Sequence, residues 1–150
     1  MEQKHPSMHL VQNMVAESSE RPANEQVKLV VERRLFLKRR WRGLAEDGTE
    51  FGFDLASRLK SGAVIFQTES ADYVVTQEPE AVYQIALQSP EQAALVGWKI
   101  GNLHFPIEIT VDAVRVTQDS AVRQLLEREN WPYVEATVVF NPLRVMAHAS

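Results

Sequence analysis

The side chains of this 150-residue chain best suited to metal chemistry are four histidines, His5, His9, His104 and His148. There is no cysteine, which removes disulfides, thiolate zinc sites, iron–sulfur clusters and thiol nucleophiles together. A metal would have to be held by imidazole, carboxylate or backbone oxygen, and four histidines cannot make a rich site within one chain. His104 stands in the most informative string, Gly101-Asn102-Leu103-His104-Phe105-Pro106-Ile107. That string reads as a helix C-cap followed by a turn into a strand. A single histidine there is either a hydrogen-bonded structural residue or a metal ligand. One imidazole does not hold a transition metal tightly. A twofold axis beside His104 would pair two of them, because an isologous interface meets itself, and imidazole suits Ni²⁺, Cu²⁺ and Zn²⁺ alike. His148 could add one or two more ligands. Such a site would be exposed and easily dismantled, which suits delivery of an ion better than catalysis or storage.

Other chemistry is hard to assemble. No serine sits in a nucleophile-elbow context, and the six glycines are scattered rather than gathered in a phosphate-binding loop. The acidic pairs Glu78/Glu80 and Asp47/Glu50 lie in turn-like segments, where solvation is the ordinary role. The expectation is therefore no enzyme. The densest charge lies in Arg33–Arg42, with Arg33, Arg34, Lys38, Arg39, Arg40 and Arg42. It reads as a solvated strand edge on which cations discourage pairing, or as a contact for an acidic protein partner. Nucleic-acid binding is the weaker reading, since the chain carries a net charge of −4 and the cluster lacks interleaved aromatic residues. No apolar run reaches the length of a spanning helix and the N-terminus lacks a secretory h-region. The expectation is a cytoplasmic protein that does not enter membranes.

The elements that must position these residues fall into two groups. Short strands are expected around Met8–Val15, Val27–Glu32, Arg40–Leu44, Glu50–Leu55, Ala63–Gln67 and Tyr73–Thr76. Turns at Asp47-Gly48 and Ser61-Gly62 separate them. Phe51 and Phe53 share one face and Asp54 takes the other. Near residue 77 the grammar changes. Ala81–Leu87 reads as a strand. Ser89-Pro90-Glu91-Gln92 is a helix start, with Ser89 as N-cap, Pro90 first in the helix and Gln92 closing a capping box; Gly101 is expected to end that helix. Ile107–Val111 and Val114–Thr117 form a hairpin. Asp119 or Ser120 caps a second helix with the apolar stripe Ala121, Val122, Leu125 and Leu126, stopped by Pro132. Val134–Phe140 is a last strand, and the tail from Asn141 is expected to be mobile. The fold class is α+β: an N-terminal all-β domain over residues 1–76, then a ferredoxin-like β-α-β-β-α-β domain over residues 77–150.

With these strings in hand, the chain resembles the urease accessory protein UreE family, nickel metallochaperones of urease maturation. The resemblance runs from about Met8 to Phe140. It rests on Leu37-Lys38-Arg39-Arg40-Trp41-Arg42-Gly43, Asp47-Gly48-Thr49-Glu50, Phe53-Asp54-Leu55 and Glu78-Pro79-Glu80-Ala81-Val82. Gly101–Ile109 is similar to the family's Gly-Asn-x-His-x-Pro-x-x-Ile motif, and Asp119-Ser120-Ala121-Val122 to its helix start. The resemblance implies a partner-docking β domain, served here by Arg39, Arg40 and Arg42, and a metal-binding domain through which the protein dimerises. It implies that His104 is the interfacial nickel ligand. His148 falls in the family's ligand-bearing tail, and Asp119 matches an acidic position that serves as ligand or cap. The implied cargo is Ni²⁺, with Zn²⁺ or Cu²⁺ bound in vitro. The implied partners are a nickel-inserting GTPase and the urease apoprotein. The chain departs from the pattern at Leu103, where the family has Arg, at Gly62-Ala63, and at Thr117, Gln118 and Ser120, where some members carry histidine. With one tail histidine, the expectation is one metal per dimer. The alternative is a metal-independent interaction module docking through Arg33–Arg42.

Overall fold

The computed structural model describes residues 8–144. His5 and His148 lie outside them. The chain forms two compact units, one ending at Glu78 and the other beginning at Pro79.

The first unit holds two three-stranded sheets and, among the described residues, no α-helix. β1 (His9–Val11), β4 (Glu50–Asp54) and β3 (Arg40–Leu44) form one sheet in the order β1-β4-β3. β2 (Gln26–Val31), β6 (Asp72–Gln77) and β5 (Val64–Gln67) form the other in the order β2-β6-β5. The β3–β4 hairpin turns at Asp47-Gly48, with Gly48 at φ 89°, a left-handed conformation that glycine adopts without Cβ strain. Alternation along β4 buries Phe51 and Phe53 and leaves Glu50 and Asp54 in solvent. Trp41 stacks on Phe53 at 3.8 Å, and Leu29, Ile65, Val75 and Phe36 complete the core. Each such side chain contributes roughly 1.5–3 kcal/mol on burial. The ambiguous stretch 33–42 resolves into a 3-10 turn over Arg33–Leu37 followed by β3.

The second unit runs β7 (Glu80–Ala86), α1 (Pro90–Asn102), β8 (Ile107–Ile109), β9 (Ala113–Thr117), α2 (Ser120–Arg128) and β10 (Val134–Val138). Its sheet is wholly antiparallel, in the order β10-β7-β9-β8. Val96 and Ile100 from α1, and Val122, Leu125 and Leu126 from α2, pack on Tyr83, Ile85, Val114 and Val116. Lys99 pairs with Glu129 and ties α1 to the end of α2.

Several local expectations need correction. Ser89 Oγ accepts the Gln92 N–H at 3.0 Å, but the Gln92 side chain accepts from the Gln88 N–H rather than from its own cap, so the capping box is not closed. α1 does not stop at Gly101; it continues through Asn102, and the left-handed residue that turns the chain is His104. Of the two cap candidates for α2, Asp119 is the one that caps it, as expected. Ala121 is exposed, because only the i, i+3, i+4 set Val122, Leu125 and Leu126 faces the sheet. α2 ends before Pro132 can act, as Asn130 turns left-handed at φ 56° and the Trp131 N–H bonds back to Leu126 O. The last strand is shorter than expected, ending at Val138. The start of the tail is held: the Leu143 N–H donates to Ile107 O at 2.7 Å.

Candidate functional site

Helix α1 and the turn after it present His104. On one side of it, the Leu103 N–H donates to Ile100 O at 3.0 Å and the His104 N–H to Gly101 O at 2.9 Å, tightening the last turn. Leu103 and Phe105 on either side are half-buried against the core of the second unit. With both neighbours drawn inward, the imidazole between them stays in solvent. Pro106 follows and restricts Phe105 to extended backbone. The chain makes this reversal by holding His104 at φ 62°. Such a conformation costs an L-residue roughly 1–2 kcal/mol, although histidine tolerates it better than most. Glycine would fill the position at lower cost.

The face of α1 that leads to His104 is apolar and uncovered in the single chain. Ala94, Leu95, Trp98, Gly101 and Asn102 are exposed at helical spacing, opposite the buried Val96 and Ile100. Trp98 is 64% exposed and Leu95 41%. No motif marks this stripe. Its signal in the sequence is one of extent, because apolar residues of α1 cover more of the helix circumference than one buried face requires.

The remaining candidates are separated from one another in role. The Asp119 carboxylate is half-buried, and its Oδ1 accepts the Ala121 N–H at 2.8 Å. Among the described residues, no three His, Cys, Asp or Glu side chains converge into a metal-binding group. His9 lies in the first unit against Phe66, with ring centroids 4.4 Å apart. The basic residues are on the first unit too. Arg40 and Arg42 lie on the exposed face of edge strand β3. Arg40 Nε is 3.2 Å from Asp54 Oδ1, while Arg39 and Arg42 have no ion-pair partner among the described residues. Arg34 pairs with Glu32. On the same sheet face Leu10 and Leu44 are exposed, and Met8 lies across Gly52, its Cε 2.7 Å from where a Cβ there would stand. Two shallow depressions of about 330 and 300 Å³ flank Met8, lined among others by Arg40, Arg42, Leu44 and Asp54. Cations, carboxylates and apolar side chains interleave there. Among the described residues, no helix is long and apolar enough to cross a membrane.

Comparison with known proteins points one way. The model of the UreE urease accessory protein C-terminal domain matches residues 80–150. The chain is similar to a urease accessory protein UreE of Bacillus cereus, 28% identical over 124 residues, which covers 81% of this chain and 82% of the relative. It is also similar to the UreE of Chelativorans sp., 28% identical over 107 residues and covering 70% and 68%. The UreE of Synechococcus sp. is 35% identical over 68 residues, 45% of this chain and 46% of that protein. The family model falls on the unit that carries His104, and the Bacillus match extends well beyond it. Residues 80–150 match the C-terminal domain of the UreE urease accessory protein family, and the likeness to UreE proteins over most of the chain supports that family, one of accessory proteins and not of enzymes.

Proposed function

We propose that this protein is a nickel carrier of urease maturation that holds Ni²⁺ between two copies of itself. The observation that carries the reading is His104: a solvent-facing imidazole on strained, left-handed backbone at the end of an exposed apolar helix stripe. A twofold axis along that stripe buries Trp98 and Leu95 of both copies and brings the two His104 rings together. The absence of a three-donor group among the described residues of one chain agrees with a site completed by a second chain. His148 adds a ligand from the C-terminal tail, and Asp119 serves as a helix cap. In this reading the second unit is ferredoxin-like, which its βαββαβ order and its strand order β10-β7-β9-β8 support. It is the metal-binding and dimerisation domain. The first unit docks the maturation partners, the nickel-inserting GTPase and the urease apoprotein, through Arg39, Arg40 and Arg42. The protein works in the cytoplasm.

Imidazole must be neutral to ligate a metal, so protons compete with Ni²⁺ for His104 and affinity falls as pH is lowered. Equilibrium titration of the full chain and of His104→Ala with Ni²⁺ tests the reading. Loss of the tight site supports it, and unchanged affinity and stoichiometry refute it. A second reading, a metal-independent interaction module, is favoured by the mixed basic and apolar face around Met8 and Arg42. Partner capture without metal, lost on reversing Arg40 and Arg42 and indifferent to His104, would establish it.

A further inference from the structure

The sheet of the second unit has two edges, β10 and β8. At the β8 edge, Ile107 O accepts the Leu143 N–H at 2.7 Å. The β10 edge is open, and the alternation of an antiparallel ladder says which of its groups face out. The Leu87 N–H donates to Asp112 O and the Gln118 N–H to Ala81 O, so the odd-numbered residues of β7 bond toward β9. Its even-numbered residues bond toward β10, at the pairs Val134–Gln84, Ala136–Val82 and Val138–Glu80. The N–H and C=O of Glu135 and Thr137 therefore point away from the sheet, and among the described residues they meet no backbone partner. Both residues are exposed, as is Val134 at 58%. Sheet edges are ordinarily blunted by lysine, proline or a bulge; Val134–Val138 carries none of these.

We propose that β10 is a strand-addition edge for a second copy of this chain, paired antiparallel and centred on Ala136. The segment Tyr133–Val139 is self-complementary about that residue. Glu135 and Thr137 exchange main-chain bonds with the partner's Thr137 and the partner's Glu135, so the outward groups satisfy one another. Val134 lies opposite the partner's Val138, in the closer non-hydrogen-bonded positions where β-branched side chains touch. Each Glu135 faces a threonine. Centring the pair on Glu135 would oppose two carboxylates, and centring it on Thr137 would carry the pairing past Val138, where β10 ends. A strand pair alone buries less than the roughly 1,000 Å² of a stable interface, so the contact forms at high concentration. It is separate from the α1 stripe and stands whether or not nickel is held there. Two different twofold contacts on one chain close a ring of copies when their axes meet and run on as an open chain when they do not.

Sedimentation equilibrium of the full chain carrying Leu95→Glu and Trp98→Glu reads the strand contact apart from the α1 stripe. In that background Thr137→Lys sets an ammonium against the partner's Glu135 at both symmetric positions and should tighten association. Thr137→Glu sets a carboxylate there and should weaken it. Each shift should be about two- to thirtyfold. With Glu135→Thr added, both shifts should vanish; shifts that persist would come from net charge and would overturn the register. Shifts of the same sign, or none, would overturn the proposal as well. Hydrogen exchange of the unsubstituted chain gives a second reading. The Glu135 and Thr137 amides should gain protection as concentration rises, while those of Val134, Ala136 and Val138 are protected at every dilution. Exchange at Glu135 and Thr137 that is independent of concentration up to about 1 mM would refute the contact.

Discussion

The left-handed backbone at His104 makes a quantitative prediction that is independent of metal. An L-residue at φ 62° carries a cost of roughly 1–2 kcal/mol that glycine does not. Glycine gives back part of this through the greater freedom of its unfolded chain, about 0.5–1 kcal/mol relative to alanine. The side chain of His104 is solvent-exposed, so truncating it opens no cavity. His104→Gly should therefore be more stable than His104→Ala by about 0.5–1 kcal/mol, although both remove the same imidazole. Stability should be read by urea denaturation with a chelator present, so that metal linkage does not enter. The fluorescence of Trp98 and Trp131 follows the second unit. With a slope near 1 kcal/mol per molar urea, expected for a unit of this size, the midpoints should differ by about 0.5–1 M. Both variants should lose the tight Ni²⁺ site. A glycine variant no more stable than the alanine variant would refute the reading of strained backbone at this position.

Three further predictions concern the framework. Asp72 is buried, accepts from Ser19 Oγ at 2.7 Å and faces Arg21 Nε at 3.2 Å, a Coulombic contact rather than a well-aligned hydrogen bond. Asp72→Ala leaves Arg21 without its buried partner and should cost about 1–3 kcal/mol in denaturation. Partial burial pushes the Asp47 carboxyl up, but hydrogen bonds from the Tyr73 hydroxyl and from Thr49 outweigh it, and its pKa is lowered. Its stabilisation is thus present above the unfolded carboxylate value and is lost as pH falls through the lower folded value; Tyr73→Phe should flatten that acid dependence, measured as stability against pH in parallel with the wild type. Replacing Trp98 and Leu95 with glutamate should leave the fold intact, because both are exposed. It should shift the sedimentation of the full chain from dimer to monomer, and persistence of the dimer would move the interface elsewhere.

Signals that act over a few residues are legible in the chain itself. Ser89 and Asp119 announce helix starts because a short polar side chain there satisfies a free backbone N–H, and both accept that bond. Asp47-Gly48 announces a tight turn because glycine accepts positive φ, and Gly48 adopts it. Alternation along Glu50–Asp54 marks the buried face of β4. Gly101 misleads for the same local reason: it is the residue that most easily ends a helix, yet packing of Ile100, Leu103 and Phe105 carries the reversal on to His104.

The sequence by itself determined the chemistry available: no thiolate, few imidazoles, a basic stretch on a net acidic chain and a family motif around His104. Those are properties of residue types and near neighbours. The tertiary structure decided which of them can act together. Strand order put β8 at a sheet edge where the Leu143 amide could find it. Packing of α1 chose Val96 and Ile100 for the core and left Leu95 and Trp98 outside. These outcomes depend on pairings between residues far apart in the chain, whose register no local periodicity encodes.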